Sequence, residues 1–421
     1  MLEKKSLAQW LTYLESVHPS EIELGLERLK SVAQTLNLLK PAAHSILVAG
    51  TNGKGSTVTL CAEILMQADL NVGSYMSPHL EQYNERIKIN EKNVSDADLI
   101  ESFEIIDKAR GSISLTYFEV GTLSALYLFK KYKVDVAVIE VGLGGRLDAS
   151  NIIEPDISAV TSIGLDHQDW LGDDLSVIAF EKAGVFRHQK PAVCGQRNIQ
   201  ATLIAHANNI NAPLFIKGEA FDFTVNKTSW NWQGQDINGQ VIEMSELPLS
   251  SLPMENAATA LQVLMLLKPD LTQIQIEQGI KNAILAGRMQ CISVPFNGVL
   301  DVGHNPQAAQ MLAENLALRP IKGKRYALLA MLDDKDPGGV VKNLTSVIDD
   351  WHLAGIEGYR GQPVATLSKK VGIERAQCHE NVPQALDVLL NIINKDDELI
   401  ILGSFVTISL ALNWIKEQSN G

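Results

Sequence analysis

A chain of 421 residues, 46% of them hydrophobic, has material for two or three domains with cores of their own. Its net charge of −13 speaks against a general nucleic-acid surface, though not against a local basic patch, so an anionic substrate must be drawn by local cations and dipoles. The cysteines Cys61, Cys194, Cys291 and Cys378 form no CxxC pair and are expected as core thiols of a reduced cytoplasmic protein, with no leader peptide and no membrane-length apolar run.

Leu7 to Leu39 reads as helix interrupted near His18-Pro19-Ser20, with Glu23 to Arg28 as an amphipathic helix start. Ser45 to Ala49 then suits a buried strand, and Val58, Cys61, Ala62 and Leu65 resume at helical spacing. Between them lies Gly50-Thr51-Asn52-Gly53-Lys54-Gly55-Ser56-Thr57. Strand, glycine turn and helix make a phosphate-binding geometry: amide N–H groups at the turn and helix start face the anion, and the helix dipole favours it. Lys54 is placed to reach terminal phosphates, and Ser56 or Thr57 to lie near a metal. The spacing departs from the common phosphate loop, since Gly50 stands only three residues before Gly53 and Gly55 occupies the usual hydroxyl position. A tight turn that merely needs positive φ is the plain alternative.

Open α/β sheets bind ligands at the carboxyl ends of their strands. A strand at Val72 to Met76 ends in Ser77-Pro78-His79, where Ser77 is a metal-shell hydroxyl or an ordinary Ser-Pro turn, and His79 reads as structural. Asn84-Glu85-Arg86 reads as a polar loop before an edge-like Ile87-Lys88-Ile89. Thr116-Tyr117-Phe118-Glu119 opens a helix through Lys131, its aromatic pair being core or a wall for a flat ligand. Val134 to Glu140 ends on a carboxylate suited to magnesium, and Ile157 to Ile163 leads to Asp166-His167. Placement of Ser77, Glu140 and His167 after successive strands argues for convergence on one site. Lys182 falls at a helix end, where a surface or salt-bridged lysine is the plain reading. Residues 213–247 read as a small β-region, and Pro253 to Ala258 start a helix carrying Asn256.

A boundary after Arg288-Met289-Gln290, before Pro295, separates a first domain, 1–290, from a second, 297–421. The α/β pattern restarts with Val299-Leu300-Asp301, then Gly303-His304-Asn305-Pro306. Further strands are expected at Tyr326 to Leu332, near Trp351 to Ile356, and at Leu399 to Leu402 before Gly403-Ser404. Two such domains around a cleft suggest an enzyme that brings two substrates together.

The motifs AGTNGKGST (49–57), SPHLEQYNERI (77–87), LTYFEVGTLSAL (115–126), EVGLGGRLDASN (140–151), TSIGLDHQDWLG (161–172), EKAGVFR (181–187), GRMQ (287–290), DVGHNP (301–306) and MLDDKD (331–336) span nearly the whole chain. Together they resemble the Mur ligase superfamily and, within it, the bacterial bifunctional dihydrofolate synthase/folylpolyglutamate synthase family. The resemblance implies an α/β fold: a P-loop Mur-ligase-type ATPase domain followed by a smaller Rossmann-like α/β domain that binds glutamate. It implies ligation of L-glutamate to dihydropteroate and to reduced folates, with ATP as co-substrate, through an acyl phosphate. Thr51, Asn52, Gly53, Lys54, Gly55, Ser56, Asn256, Arg288, Asp301 and His304 would hold ATP. Ser77, Glu140 and His167 would ligate Mg2+, in two sites, with Lys182 joining them as a carbamate; Lys54, Lys182 and His167 are the catalytic set, and a monovalent cation such as K+ is compatible. Dihydropteroate would meet Glu23, Leu24, Gly25, Leu26, Thr116, Tyr117, Phe118, Glu119, Leu147, Asp148 and Ala149. Glu23 stands where aspartate is expected, Ala286 where proline is common, and Gly303 where alanine is common. A cytoplasmic monomer acting on small molecules is expected, with neither nucleic acid nor membrane as partner. The alternatives are a cell-wall Mur ligase, which the short stretch before Gly50 disfavours, and a non-catalytic nucleotide-binding protein. Ser404 and Lys335 are candidates for the glutamate pocket.

Overall fold

The computed structural model describes residues 5–420 apart from 19, 21, 22, 359 and 374; the side chains of 169, 419 and 420 also lie outside it. Pro19, in the expected helix interruption, is therefore outside the described residues. The chain divides into two compact units, one reaching residue 283 without 251–253, the other formed by 251–253 and the chain from 284 onward.

The first unit is built on an eight-stranded sheet: β1 (His44–Ala49), β2 (Val72–Tyr75), β3 (Ile87–Ile89), β4 (Lys92–Asn93), β5 (Val136–Glu140), β6 (Ile157–Val160), β7 (Ala192–Cys194) and β8 (Leu214–Ile216), in the order β4-β3-β2-β5-β1-β6-β7-β8. The pairs from β2 to β8 are parallel, and β3 and β4 are antiparallel additions. Near-continuous apolar runs such as Ile46-Leu47-Val48-Ala49, all fully buried, suit strands covered on both faces. The register sets Val48 beside Glu140 and Ala49 beside Val160. Because β5 and β6 flank β1 on opposite sides, the segments leaving all three strands open at a switch point.

Helix Lys54–Met66 follows β1 and is buried nearly all round, packed against helices Met254–Leu267 and Gln273–Asn282. A three-stranded antiparallel ribbon, β9 (Asp222–Val225), β10 (Ser229–Gln235) and β11 (Val241–Pro248), packs on Met254–Leu267. Trp232 donates its indole N–H to the Ala258 carbonyl at 3.1 Å.

The second unit holds β12 (Gln290–Ile292), β13 (Gly298–Asp301), β14 (Arg325–Leu329), β15 (Asp350–Ala354), β16 (Gln377–His379) and β17 (Glu398–Leu402), in the order β12-β13-β17-β14-β15-β16. β12 is antiparallel and the others are parallel. Its core gathers Val299, Leu316, Leu329, Val340, Leu353 and Ile400.

Both units are α/β with parallel-rich sheets, as the sequence implies. Four local expectations need correction. The helix expected from Glu23 begins at Glu27, because Gly25, at φ +142, takes a backbone that no helix allows. The strand expected to run to Ile163 ends at Val160, where Thr161 turns to brace the phosphate loop. Ile87–Ile89 is not the sheet edge, since the short β4 covers it. Cys61 and Cys194 are core thiols, whereas Cys291 and Cys378 are exposed. Among the described residues no helix is long and apolar enough to cross a membrane.

Candidate active site

The turn after β1 is held from two sides. Gly53 lies at φ +84, and a Cβ there would run into the Asn256 amide. That amide donates to the Gly53 carbonyl at 2.6 Å. From the β6 side, Thr161 Oγ1 donates to the Asn52 carbonyl at 2.6 Å, and Ser162 Oγ accepts the Asn52 N–H at 2.9 Å. Thr51 Oγ1 accepts from the Gly164 N–H at 2.9 Å and lies 3.1 Å from its carbonyl. Lys54 folds back over the loop, its Nζ donating to the carbonyls of Gly50 (3.0 Å) and Thr51 (3.2 Å). Gly55 and Ser56 are buried in the first helical turn. Thr57 Oγ1 is committed to the Gly53 carbonyl at 3.0 Å, which leaves the Ser56 hydroxyl as the better metal-side candidate. The arrangement is a preformed cradle of amides at a helix N-terminus, with a lysine across it.

Glu140 closes β5 and is buried, and its Oε2 accepts the Ser77 N–H at 3.0 Å, so two of the expected metal ligands meet directly. His167 lies at φ +51 just before helix Gln168–Leu171, its ring exposed and its backbone N–H held by Asp166 Oδ1 at 2.9 Å. Among the described residues no group of three His, Cys, Asp or Glu side chains could hold a metal ion.

Lys182 departs most from its plain reading. It sits in the last turn of helix Leu175–Ala183, only 3% exposed. The glycine-rich segment after β5 packs against the backbone of its helical turn: a Cβ on Gly145 would strike the Glu181 and Lys182 carbonyls, and the Arg146 N–H donates to the Glu181 carbonyl at 2.8 Å. Burial, and then the neighbouring Lys54 ammonium, bring its pKa down to about 7, against the pull of Asp166 and Asp148. Lys182 therefore holds its proton far more weakly than an exposed lysine.

The other expected segments line the same unit. Glu23 pairs with His18 Nε2 (2.7 Å) and Arg28 Nη1 (2.9 Å), Leu24 is 39% exposed, and Leu26 precedes helix Glu27–Thr35. Arg28 also reaches Glu119 Oε1 at 3.1 Å. Glu119 is buried, caps its helix by accepting the Thr116 N–H at 2.7 Å, and has its pKa raised by burial. Tyr117 and Phe118 are half-buried, Phe118 packing near Tyr75 with ring centroids 6.2 Å apart. Leu147 is half-buried and Ala149 buried. The Asp148 carboxylate is already used, accepting the N–H groups of Leu143 (2.8 Å) and Ser150 (2.9 Å) and the Ser150 hydroxyl (2.6 Å), so it shapes the turn.

In the second unit, Asp301 closes β13 with Oδ1 accepting the Gly303 N–H (2.7 Å) and Oδ2 the Met289 N–H (3.0 Å). Arg288 lies 5.4 Å from the Phe405 ring centroid, and His304 Nδ1 lies 3.0 Å from the Val302 carbonyl. Ser404 Oγ accepts the Thr407 N–H at 3.0 Å, and Lys335 lies 3.5 Å from Asp334.

Thr161 and Ser162, which brace the loop, and Gly145 fall within the motifs at 161–172 and 140–151 but have no role assigned to them from sequence, and Arg28 lies outside every motif.

Residues 48–261 match the Mur ligase middle domain, and residues 287–405 match the Mur ligase glutamate ligase domain. The dihydrofolate synthase/folylpolyglutamate synthase of Escherichia coli (strain K12) is 42% identical over 99% of this chain and 97% of its own. The solved structure of E. coli FolC in complex with DHPP and ADP superposes with a TM-score of 0.94 at 42% identity, covering 99% of both chains. A bifunctional folylpolyglutamate synthase/dihydrofolate synthase with Mn, AMPPNP and L-glutamate bound gives a TM-score of 0.91 at 44% identity, over 97% of this chain and 98% of that one. With a middle-domain match across half the chain and a relative this similar end to end, the chain belongs to the dihydrofolate synthase/folylpolyglutamate synthase family of Mur ligases.

Proposed function

We propose that the chain is an ATP-dependent ligase joining L-glutamate to dihydropteroate, which makes dihydrofolate, and to reduced folates, which makes folylpolyglutamates. The observation that carries this reading is a pair of lysines, Lys54 folded over the phosphate loop and Lys182 buried beside it. A half-buried and a buried ammonium group side by side repel. Addition of CO2 to the neutral Lys182 amine, with loss of one proton, turns the second into an oxygen-bearing anion. Carbamate, Ser77 hydroxyl, Glu140 carboxylate and His167 imidazole then form an oxygen-rich donor set that fits Mg2+, in two sites, and K+ is a compatible further ion. Bound Mg2+ supplies charge screening between the ATP phosphates and the acceptor carboxylate.

The turn Thr51 to Gly55, whose Gly53, Lys54 and Gly55 amides face the anion while those of Thr51 and Asn52 are donated to Ser162, and the Ser56 hydroxyl hold the phosphates, with further nucleotide contacts assigned to Asn256, Arg288, Asp301 and His304. Lys54 exchanges its two loop carbonyls for the transferring phosphoryl group, whose catalysis is positioning and electrostatics. The acceptor carboxylate attacks the γ-phosphorus, ADP leaves, and an acyl phosphate remains. The glutamate amine attacks the acyl carbon, sheds a proton, and displaces phosphate. Residues 23–26, 116–119 and 147–149 hold the pterin acceptor, with Asp148 acting through its backbone. The protein works as a cytoplasmic monomer.

Purified protein given ATP, Mg2+ and L-glutamate, with dihydropteroate or tetrahydrofolate separately, should release ADP with each acceptor. Release with neither sinks the proposal. Turnover of tetrahydrofolate alone removes the dihydrofolate synthase half.

A further inference from the structure

Arg86 ends the short 3-10 turn Tyr83–Arg86 and is half-buried. Its Nε donates to His79 Nδ1 at 2.8 Å, and its guanidinium carbon lies 5.1 Å from the Tyr83 ring centroid and 5.5 Å from that of Tyr117. One ring nitrogen and two aromatic faces thus fix the plane of the group. Among the described residues neither terminal nitrogen has a hydrogen-bond or ion-pair partner. An oriented, half-buried guanidinium with both terminal nitrogens unused is a fork for a planar anion, and carboxylate is the anion whose geometry it matches. The Tyr83 hydroxyl beneath it is buried and also lacks a partner.

The position narrows the ligand. Arg86 touches Tyr117, in the segment assigned to the pterin acceptor, and follows Ser77, assigned to the metal, by nine residues in the same connection between β2 and β3. The acceptor must run from the first to the second, because its carboxylate end has to meet the γ-phosphate. A glutamylated acceptor brings two carboxylates there: the γ-carboxylate, which reacts, and the α-carboxylate, which does not. A bidentate fork occupies both oxygens of a carboxylate and lowers its nucleophilicity, so it suits the one that stays ionised. We infer that Arg86, oriented by His79, Tyr83 and Tyr117, binds the unreacting α-carboxylate of glutamylated acceptors and so distinguishes them from dihydropteroate, which lacks that group. The inference rests on the proposed acceptor chemistry.

The test compares wild type and Arg86→Gln with three acceptors: dihydropteroate, tetrahydrofolate, and tetrahydrofolate whose α-carboxylate is converted to an amide. Loss of a charge-assisted pair should raise KM for tetrahydrofolate by about 10- to 100-fold more than KM for dihydropteroate. The wild type should show a similar rise with the α-amide, and Arg86→Gln should add little to it. Arg86→Lys, which keeps the charge without the fork, should recover only part of the loss. Equal losses on dihydropteroate and tetrahydrofolate overturn the inference, as does a wild-type KM for the α-amide equal to that for tetrahydrofolate. The second measurement needs no variant and decides the question if Arg86→Gln fails to fold. Wild type inactive on every acceptor would instead overturn the ligase reading itself.

Discussion

Lys182 in the first unit and His352 in the second are both buried bases that hold a proton weakly, one with a pKa near 7 and the other near 4. Burial is the leading cause for each, and a neighbouring base is the next: Lys54 for Lys182, His379 for His352. Their surroundings differ. His352 on β15 has a partner on the adjacent β16, with Nδ1 2.9 Å from His379 Nε2 and the two rings parallel. Among the described residues no hydrogen bond or ion pair reaches the Lys182 ammonium, which stands beside a second cation and near Asp148 and Asp166. His352 Nε2 is itself buried without a partner, so what sets Lys182 apart is the second cation and the carboxylates beside it.

The sharpest way to break that contrast is Lys182→Met, which keeps the volume and removes the amine. Turnover should fall by about 100- to 1000-fold, the scale of losing one preorganised electrostatic group, and should no longer respond to CO2. Stability should move the other way. Unfolded lysine binds its proton near 10.5 and buried Lys182 only near 7, so burial costs most below pH 7 and nothing well above 10.5. At neutral pH the variant should melt at or above the wild-type temperature. If it loses activity and stability together, Lys182 is structural. In the wild type, activity at fixed dissolved CO2 should decline as pH falls through about 7, because an ammonium cannot add CO2.

Next in size is Gly53→Ala. The new Cβ meets the Asn256 amide, and φ +84 is strained for alanine, so the brace on the loop must shift. A strained backbone costs about 1–3 kcal/mol, and KM for ATP should rise by about 10-fold or more while dihydropteroate binding, measured directly, changes little. A nucleotide affinity equal to wild type would show that the brace is dispensable.

Much of this was legible in the sequence, for a physical reason. β1 and β5 are apolar runs that stop at a glycine or a carboxylate, so both the strands and their functional ends stand out, whereas β6 gives way to Thr161 and its end does not. The register that sets Val48 beside Glu140 was not legible, because it depends on pairing between segments about 90 residues apart. Nor was the burial of Lys182, since a lysine in a last helical turn ordinarily reaches solvent; here the backbone around Gly145 packs against that turn and the side chain is buried. Arg86 read as part of a polar loop because its partners His79, Tyr83 and Tyr117 come from a turn and a separate helix.

A smaller effect is expected in the second unit. Unfolded histidine gains its proton near 6.5 and His352 only near 4, so the unfolded state holds more protons between those values and stability falls as pH is lowered through that window. Urea unfolding of His352→Phe should show a flatter acid slope than wild type. An unchanged slope would place the acid sensitivity elsewhere, and the pair would then not be the counterpart of Lys182 that its burial suggests.

The smallest effect separates a strand-end residue that awaits a ligand from one already used. Ser404 follows β17 as Ser77 follows β2, and it is a candidate for the glutamate pocket on position alone. Its hydroxyl, however, is buried, accepts the Thr407 N–H at 3.0 Å and lies 2.7 Å from the Thr407 hydroxyl, which in turn donates to the Ala330 carbonyl at 2.6 Å. That chain caps helix Phe405–Asn420 and ties it to the end of β14. Ser404→Ala should therefore cost about 1 kcal/mol of stability, the usual worth of an N-cap, with KM for glutamate within about twofold of wild type. A glutamate KM raised about tenfold in a variant as stable as wild type would reverse the assignment: the hydroxyl would then serve the amino acid, and a side chain satisfied at rest could still be part of a pocket.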